Sequence, residues 1–268
     1  MSKGLTLEGG QHAVLLLHGL YSNAMELQYL ARRVQAAGFT VRVPHLPGYS
    51  ALSANYARTH GSWEHWLEAA EAELDGLLEK YPTVSLGGLC IGADLALMLA
   101  ARKGRRISAL LLLSTTLYYD GWSLPWYKFL LPLAYHLPFG RLYAYAEREP
   151  FGLKNEQMRR LVATQMRRSG VSEVGASRLR SAGLYQAQRL IKAVKKSLPQ
   201  VTQPALIVHA TEDDMTSLRS VAHLEQHLAS REIERLLLGN SYHMVSLDND
   251  KSLVAERMIA FLKTHGGQ

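Results

Sequence analysis

Short apolar segments alternate with amphipathic segments along most of the chain. The first apolar segment, Ala13 to His18, is followed by a helical pattern from Asn23 to Ala37. Short segments rich in apolar residues predict further strands at Phe39 to Pro44, Val84 to Leu89, Ile107 to Ser114, Ala205 to His209 and Ile233 to Leu238.

Helical spacing recurs between these strands. The predicted helices are Ser62 to Tyr81 with Ser62 as its cap, Gly92 to Lys103, Ser217 to Ala229 and Lys251 to Thr264. Strands that alternate with helices are typical of a mostly parallel sheet flanked by helices on both faces. The pattern alone therefore predicts an α/β fold.

The region from Thr116 to Gln200 interrupts the alternation. It is rich in aromatic residues and prolines, continues into Arg-rich helical stretches and shows no convincing strand. We predict a helical cap at residues 116–200, inserted into a core of residues 1–115 and 201–268. Tyr21, Trp122 and Trp126 are expected to line an apolar substrate site. Simple packing of the cap aromatics onto the core is the alternative.

Composition narrows the setting in which the protein works. The chain has 268 residues, 47% of them hydrophobic, and a single cysteine, so an intrachain disulfide is excluded. A free thiol is typical of a reducing compartment, and we expect the cytoplasm. No apolar run approaches the ~20 residues that span a bilayer, so no transmembrane segment is expected.

The positive charge is concentrated in one segment. The net charge is +7, but residues 141–196 hold thirteen Lys and Arg against four Glu, a local balance of +9. No signature of a groove-reading module accompanies this segment, so no nucleic-acid partner is expected. A solvated helical face is the expected role, and peripheral contact with an anionic membrane surface stays open.

A candidate nucleophile lies between a predicted strand and a predicted helix. Gly88-Leu89-Cys90-Ile91-Gly92 has the sequence of a tight strand-to-helix turn, in which the two glycines remove side chains that would collide. Such a turn exposes the central side chain at the edge of the sheet. The helix N-terminus that follows stabilises negative charge on a thiolate. A buried structural cysteine is the alternative.

Two later loops supply partners for a nucleophile. Thr211-Glu212-Asp213-Asp214-Met215 follows one strand, and Gly239-Asn240-Ser241-Tyr242-His243 follows the next. Nucleophile, acid and histidine thus occur in the chain order of a known hydrolase triad, each after a strand.

At this point the sequence resembles the α/β-hydrolase superfamily, and within it the small carboxylesterases and monoacylglycerol lipases. The resemblance covers nearly the whole chain from Ala13. The motifs that carry it are Leu-His-Gly-Leu at 17–20, Pro-His-Leu-Pro-Gly-Tyr at 44–49, the strand-to-helix turn at 88–92, Thr211 to Met215, and Tyr-His-Met-Val at 242–245.

The resemblance implies a role for several residues. Asp213 is implied as the triad acid and His243 as the base, with the adjacent Asp214 as a second choice. The backbone N–H groups of Leu20 and Ile91 are implied as the oxyanion hole. Most members of that branch have serine at the centre of the turn. A cysteine there resembles dienelactone hydrolases and polyester synthases or depolymerases instead.

These residues predict a hydrolase that cleaves apolar acyl esters through Cys90, Asp213 and His243, with no cofactor. A thioesterase or an acyltransferase that acts on acyl-thioesters or polyhydroxyalkanoate-type esters is one alternative, and a non-catalytic binding protein with the same fold is another. The partner is expected to be a small-molecule ester or thioester; the oligomeric state is not predicted.

A metal site is not expected. His223 and His227 lie four residues apart on a predicted helix, but the Glu that a zinc-protease motif requires directly after the first His is missing.

Overall fold

A seven-stranded sheet lies at the centre of the protein. The computed structural model describes residues 4–51, 61–124, 129 and 143–266. The strands of this sheet are β1 (Leu5–Leu7), β2 (His12–Leu17), β3 (Thr40–Val43), β4 (Thr83–Leu89), β5 (Leu110–Leu113), β10 (Ala205–Ala210) and β11 (Ile233–Leu238). Four shorter strands form two small sheets: β6 (Ala144–Ala146), β7 (Val171–Ser172), β8 (Gly175–Ala176) and β9 (Arg178–Arg180).

The order of the strands brings the ends of several of them to one edge. The spatial order is β1-β3-β2-β4-β5-β10-β11, and every neighbouring pair is parallel except β1 with β3. The prediction of a mostly parallel sheet is therefore confirmed. Because β2, β4, β5, β10 and β11 run in the same direction, the loops that follow them meet at the carboxyl edge of the sheet, where α/β folds build their sites.

Helices cover both faces of the sheet. They are α1 (Gln28–Ala36), α2 (Trp63–Lys80), α3 (Ile91–Lys103), α4 (Glu156–Ser169), α5 (Ser181–Ser197), α6 (Arg219–His227) and α7 (Lys251–His265). Strand β2 shows the two faces: Leu15 and Leu17 belong to the core formed with α2, α3 and α5, whereas Val14 and Leu16 belong to the core formed with α1 and α7. All six residues of β2 are buried, which explains its uninterrupted apolar run.

One local prediction differs from the structure, and one strand was not predicted. Ser62 does precede α2, but its side chain accepts no capping hydrogen bond, and its hydroxyl lies 3.3 Å from Nδ1 of His65 instead. Strand β1 was not predicted, because three residues are too few to show an alternating pattern. Among the described residues, no helix has both the length and the apolar character that crossing a membrane requires.

The inserted region contains more than helices. The expectation that residues 116–200 hold no strand is wrong, since β6 pairs with β9 and β7 pairs with β8. Each pair spans only two or three residues, so periodicity could not reveal it. Helix α5 packs against α3, and its buried residues belong to the same core as β2. The boundaries of a separate cap, at 116 and 200, stay a prediction.

A tight turn joins β4 to α3 at the carboxyl edge. Cys90, between them, has φ 57° and ψ −122°, a conformation that costs energy for a residue with a side chain. A Cβ atom on Gly88 would overlap the backbone of Gly92, and one on Gly92 would overlap the carbonyl oxygen of Leu17. The two glycines therefore allow the helix to begin directly against β2 and β4.

We expect Gly88→Ala to destabilise the protein, because the added methyl group must displace backbone atoms of α3. Overpacking of this kind costs about 1–3 kcal/mol of unfolding free energy. The matched control is Gly76→Ala, since Gly76 is an exposed residue of α2 with open space around its Cβ position. That change should raise the unfolding free energy by about 0.5–1 kcal/mol. Urea unfolding of both variants measures the difference, and equal stabilities would refute the close approach at the turn.

Candidate active site

The thiol of Cys90 stands at the carboxyl edge of the sheet. The N–H of Cys90 donates to the carbonyl oxygen of Leu113, at 3.0 Å, which holds the turn against β5. Its Sγ lies 3.3 Å from Oγ1 of Thr116, and that hydroxyl also lies 3.2 Å from the carbonyl oxygen of Ser114. The loop after β5 therefore contacts the thiol from one side.

His243 is held from several directions in the loop after β11. Its Nδ1–H donates to both carboxylate oxygens of Asp213, at 2.9 and 3.0 Å. Its carbonyl oxygen accepts the hydroxyl of Ser114 at 2.8 Å. Both His243 and Asp213 are buried, so the imidazole has one orientation and its Nε2 is the free ring nitrogen.

The surroundings of Asp213 favour its ionised form. One of its oxygens accepts the N–H groups of Met215, at 2.8 Å, and Thr216, at 2.9 Å. Burial opposes its ionisation, but the charge and hydrogen bond of His243, with His209 and the Thr216 N–H, outweigh burial and lower the pKa of Asp213.

His243 is electrostatically coupled to Cys90. Nε2 of His243 is buried and makes no hydrogen bond of good geometry within the described ranges. Burial by itself would lower the pKa of His243, yet Asp213 and Cys90 together hold that pKa well above its usual value. Both groups therefore strengthen the imidazole as a proton acceptor.

Asp214 contacts His243 in a different way from Asp213. Its Oδ1 accepts the backbone N–H of His243 at 3.3 Å, and no contact of its carboxylate with the imidazole is found in the part of the chain that the structure describes. Burial raises the pKa of Asp214, whereas that of Asp213 is lowered. Two adjacent acids thus hold the ring and the backbone of the same histidine.

The two residues implied as the oxyanion hole line the same cavity as Cys90. Leu20 follows His18-Gly19 after β2, and Ile91 follows Cys90; both residues line the cavity that holds Cys90. Neither N–H donates to another group among the described residues. The N–H of Gly19 donates to Oε1 of the buried Glu26 at 2.9 Å, which fixes the loop that carries Leu20.

The cavity has a volume of about 100 Å³ and a largely apolar wall. Its lining residues are Gly19, Leu20, Tyr21, Ser22, Glu26, Leu89, Cys90, Ile91, Tyr119, Glu147, Phe151, Gly152, Val174, Ala176, Leu179, Leu184, Met215, His243 and Met244. Burial raises the pKa of Glu26 to about 7. Burial also raises the pKa of Glu147 to about 7, and the charge of Asp214 adds to that effect.

The three aromatic residues predicted to bind substrate lie in different places. Tyr21 lines the cavity. Trp122 does not: it is 60% exposed, its ring packs on Tyr242 at 5.4 Å, and its Nε1–H donates to the carbonyl oxygen of Glu212. Trp126 lies outside the described residues.

The histidine pair set aside as a metal site is stacked. The rings of His223 and His227 lie 4.0 Å apart, a geometry in which their nitrogens do not converge. In the described ranges, no group of three or more His, Cys, Asp or Glu side chains is arranged to hold a metal ion.

Three residues of the site were not predicted from the sequence. Thr116 follows β5 at the carboxyl edge, so its position after a strand was a usable signal. Glu26 and Glu147 gave no such signal. Glu26 lies in a short helical turn between β2 and α1, and Glu147 follows β6 in the inserted region.

Comparison with known proteins gives one consistent result. The family model Hydrolase_4, described as serine aminopeptidase, S33, matches residues 10–250. A thermostable monoacylglycerol lipase of Bacillus sp. (strain H-257) is 26% identical over 97% of this chain and 94% of the lipase. A carboxylesterase of Bacillus subtilis (strain 168) is 23% identical over 97% of this chain and 96% of the esterase.

Solved structures agree with this result. A structure from work on the metagenome-derived lipolytic enzymes LipS and LipT is 26% identical and superposes with a TM-score of 0.80 over 98% of both chains. A monoacylglycerol lipase of Paleococcus ferrophilus, at 18% identity, has the same fold with a TM-score of 0.77 over 97% of this chain and 98% of the lipase. The chain is similar to lipases and esterases over nearly its whole length. It belongs to the Hydrolase_4 family of the α/β-hydrolase superfamily.

Proposed function

We propose that the protein hydrolyses carboxylic esters with an apolar acyl group, using Cys90 as the nucleophile, His243 as the base and Asp213 as the acid that orients it. One observation carries the proposal: the imidazole of His243, anchored at Nδ1 by Asp213, and the thiol of Cys90, on its strained turn, open into the same cavity. The similarity to a monoacylglycerol lipase and a carboxylesterase supports ester bonds as the target.

The first half of the reaction forms an acyl-enzyme. His243 takes the thiol proton, and the Cys90 sulfur attacks the ester carbonyl carbon. The carbonyl oxygen becomes an oxyanion, which accepts hydrogen bonds from the N–H groups of Leu20 and Ile91; that both residues line the cavity supports this role. The carbon–oxygen bond to the alcohol then breaks, and His243 gives its proton to the departing alkoxide.

The second half returns the free enzyme. The same imidazole takes a proton from a water molecule, whose oxygen attacks the carbonyl carbon of the acyl-thioester. The tetrahedral intermediate collapses with loss of the Cys90 sulfur, which regains a proton from His243. Asp213 stays ionised throughout, because its hydrogen bonds favour the anion.

The raised pKa of His243 supports its role as the base, because a more basic imidazole takes the proton of the Cys90 thiol more readily. A nucleophilic thiol also needs a reducing environment, so we propose a cytoplasmic location. We further propose residues 116–200 as a cap over this site, since Glu147, Phe151 and Val174 from that region line the cavity.

The nucleophile can be tested through the bond that it forms. Cys90→Ala should lower kcat for p-nitrophenyl butyrate by about a thousandfold or more, because no other group replaces the thiol. Wild-type protein quenched during turnover should carry one butyryl group on Cys90, which neutral hydroxylamine releases as expected of a thioester.

Cys90→Ser is the matched control for that bond, because its adduct would be an oxygen ester that resists neutral hydroxylamine. Full hydrolysis by Cys90→Ala, or an adduct on another residue, would exclude Cys90 as the nucleophile.

The two adjacent acids provide a second test. Asp213→Asn should lower kcat by roughly 10²–10⁴-fold, because the amide no longer holds the protonated Nδ1 as a carboxylate does. Asp214→Asn keeps an oxygen for the N–H of His243 and should lower kcat by less than about tenfold. Thermal melting of both variants checks that each is folded. A larger loss in Asp214→Asn than in Asp213→Asn would reverse the assignment.

A further inference from the structure

The cavity beside Cys90 is lined by acids and by no lysine or arginine among the described residues. Its ionisable lining groups, apart from Cys90 and the tyrosines, are Glu26, Glu147 and His243. Asp213 and Asp214 lie directly behind His243. Burial and the charge of Asp214 raise the pKa of Glu147 to about 7 although the charge of His243 lowers it, so Glu147 carries negative charge above neutral pH.

Glu147 is the acid that a ligand can reach. Its backbone is fixed, since its N–H donates to the carbonyl oxygen of Ser177 at 2.9 Å. Its side chain lines the cavity and makes no hydrogen bond or ion pair within the described ranges. By contrast, Glu26 already accepts the N–H of Gly19. Glu147 is only partly buried, so a cationic group that enters the cavity can pair with its carboxylate.

Aromatic rings line the same space. Tyr21, Tyr119 and Phe151 surround the cavity together with Glu147. Aromatic faces attract organic cations, above all quaternary ammonium groups, and a nearby carboxylate reinforces that attraction. The cavity of about 100 Å³ suits a group of a few heavy atoms rather than a long chain.

We propose that this cavity is a subsite for a small organic cation, an ammonium group carried by the ester, with Glu147 and the three aromatic rings as its recognition elements. The cation would replace the missing partner of Glu147. Phosphorylated substrates such as acyl-coenzyme A would meet repulsion at the same place. The inference rests on the proposed ester hydrolysis for the identity of the ligand, but recognition of a cation can be measured without any hydrolysis.

Because Cys90 is the only cysteine, its modification reports the local charge of this cavity. Methanethiosulfonates transfer an alkylthio group: the Cys90 sulfur forms a disulfide and methanesulfinate leaves. We compare the rates at which the trimethylammonium-ethyl and the sulfonatoethyl reagent modify Cys90. Each rate is divided by the rate of the same reagent with 2-mercaptoethanol, which corrects for the reactivity of the reagent itself. The net charge of +7 would favour the anionic reagent, whereas the subsite favours the cationic one.

We expect the normalised ratio of cationic to anionic rates to exceed 1 by about tenfold in the wild-type protein at about 0.15 M salt. Glu147→Gln keeps the shape and should lower the ratio at least about threefold. Glu149→Gln, at an exposed position two residues away, is the matched control and should leave it unchanged. A wild-type ratio at or below 1, or one that Glu147→Gln leaves unchanged, would overturn the proposal.

Hydrolysis separates this inference from the proposed function. Acetylcholine and 3,3-dimethylbutyl acetate differ only in the alcohol, where a neutral quaternary carbon replaces the charged nitrogen. An ester of trimethylammonioacetate and the matching ester of tert-butylacetate make the same comparison on the acyl side. After correction for hydroxide-catalysed rates, kcat/KM should favour the cation in one pair, and Glu147→Gln should remove that preference. Cleavage of all four esters without preference would overturn the subsite alone. Cleavage of none would overturn ester hydrolysis, while the thiol rates still decide the subsite.

Discussion

The close approach of β2, β4 and α3 around Cys90 determines where everything else in the site can lie. Gly88 and Gly92 have no room for a side chain, and the residue between them adopts a positive φ. The strain at Cys90 is sustained because parallel strands on both sides fix the ends of the turn. That geometry leaves the sulfur facing the loops after β2, β5 and β11, which supply Leu20, Thr116 and His243.

Burial and local hydrogen bonds give the acids around the site different pKa values. Asp213 is buried with His243 and two N–H donors, so its pKa is lowered, whereas Asp214, one residue later, has a raised pKa. Asp94 is an extreme case in the first turn of α3. Neither of its oxygens has a hydrogen-bond partner among the described residues, and burial raises its pKa well above the usual value. A neutral Asp94 adds no negative charge beside Cys90, so a carboxyl is tolerated at this buried position.

The sequence predicts most of the framework, since the signal for it is local. Strands β2 and β10 are buried along their whole length and are apolar apart from one histidine each, and the turn around Cys90 has its glycines at fixed spacing. The small strands β6 to β9 escaped prediction, because their pairing depends on contacts distant in the chain. The sequence could not separate Asp213 from Asp214 by pattern alone, since that difference depends on which carboxylate the loop directs towards the imidazole. Glu147 was missed for the same reason: nothing near it in sequence indicates that it faces Cys90.

The same acids link the choice of nucleophile to the choice of ligand. Asp213 and Cys90 hold the pKa of His243 well above its usual value. Glu147, from the inserted region, lines the same cavity, and its carboxylate is ionised above its raised pKa of about 7. An ionised Glu147 would oppose the entry of an anionic substrate. A cationic substrate would favour that ionised form, so its binding and the charge of Glu147 are linked. The acids around His243 thus bear on both proposals: Asp213 strengthens the proposed base, and Glu147 favours a positively charged ester.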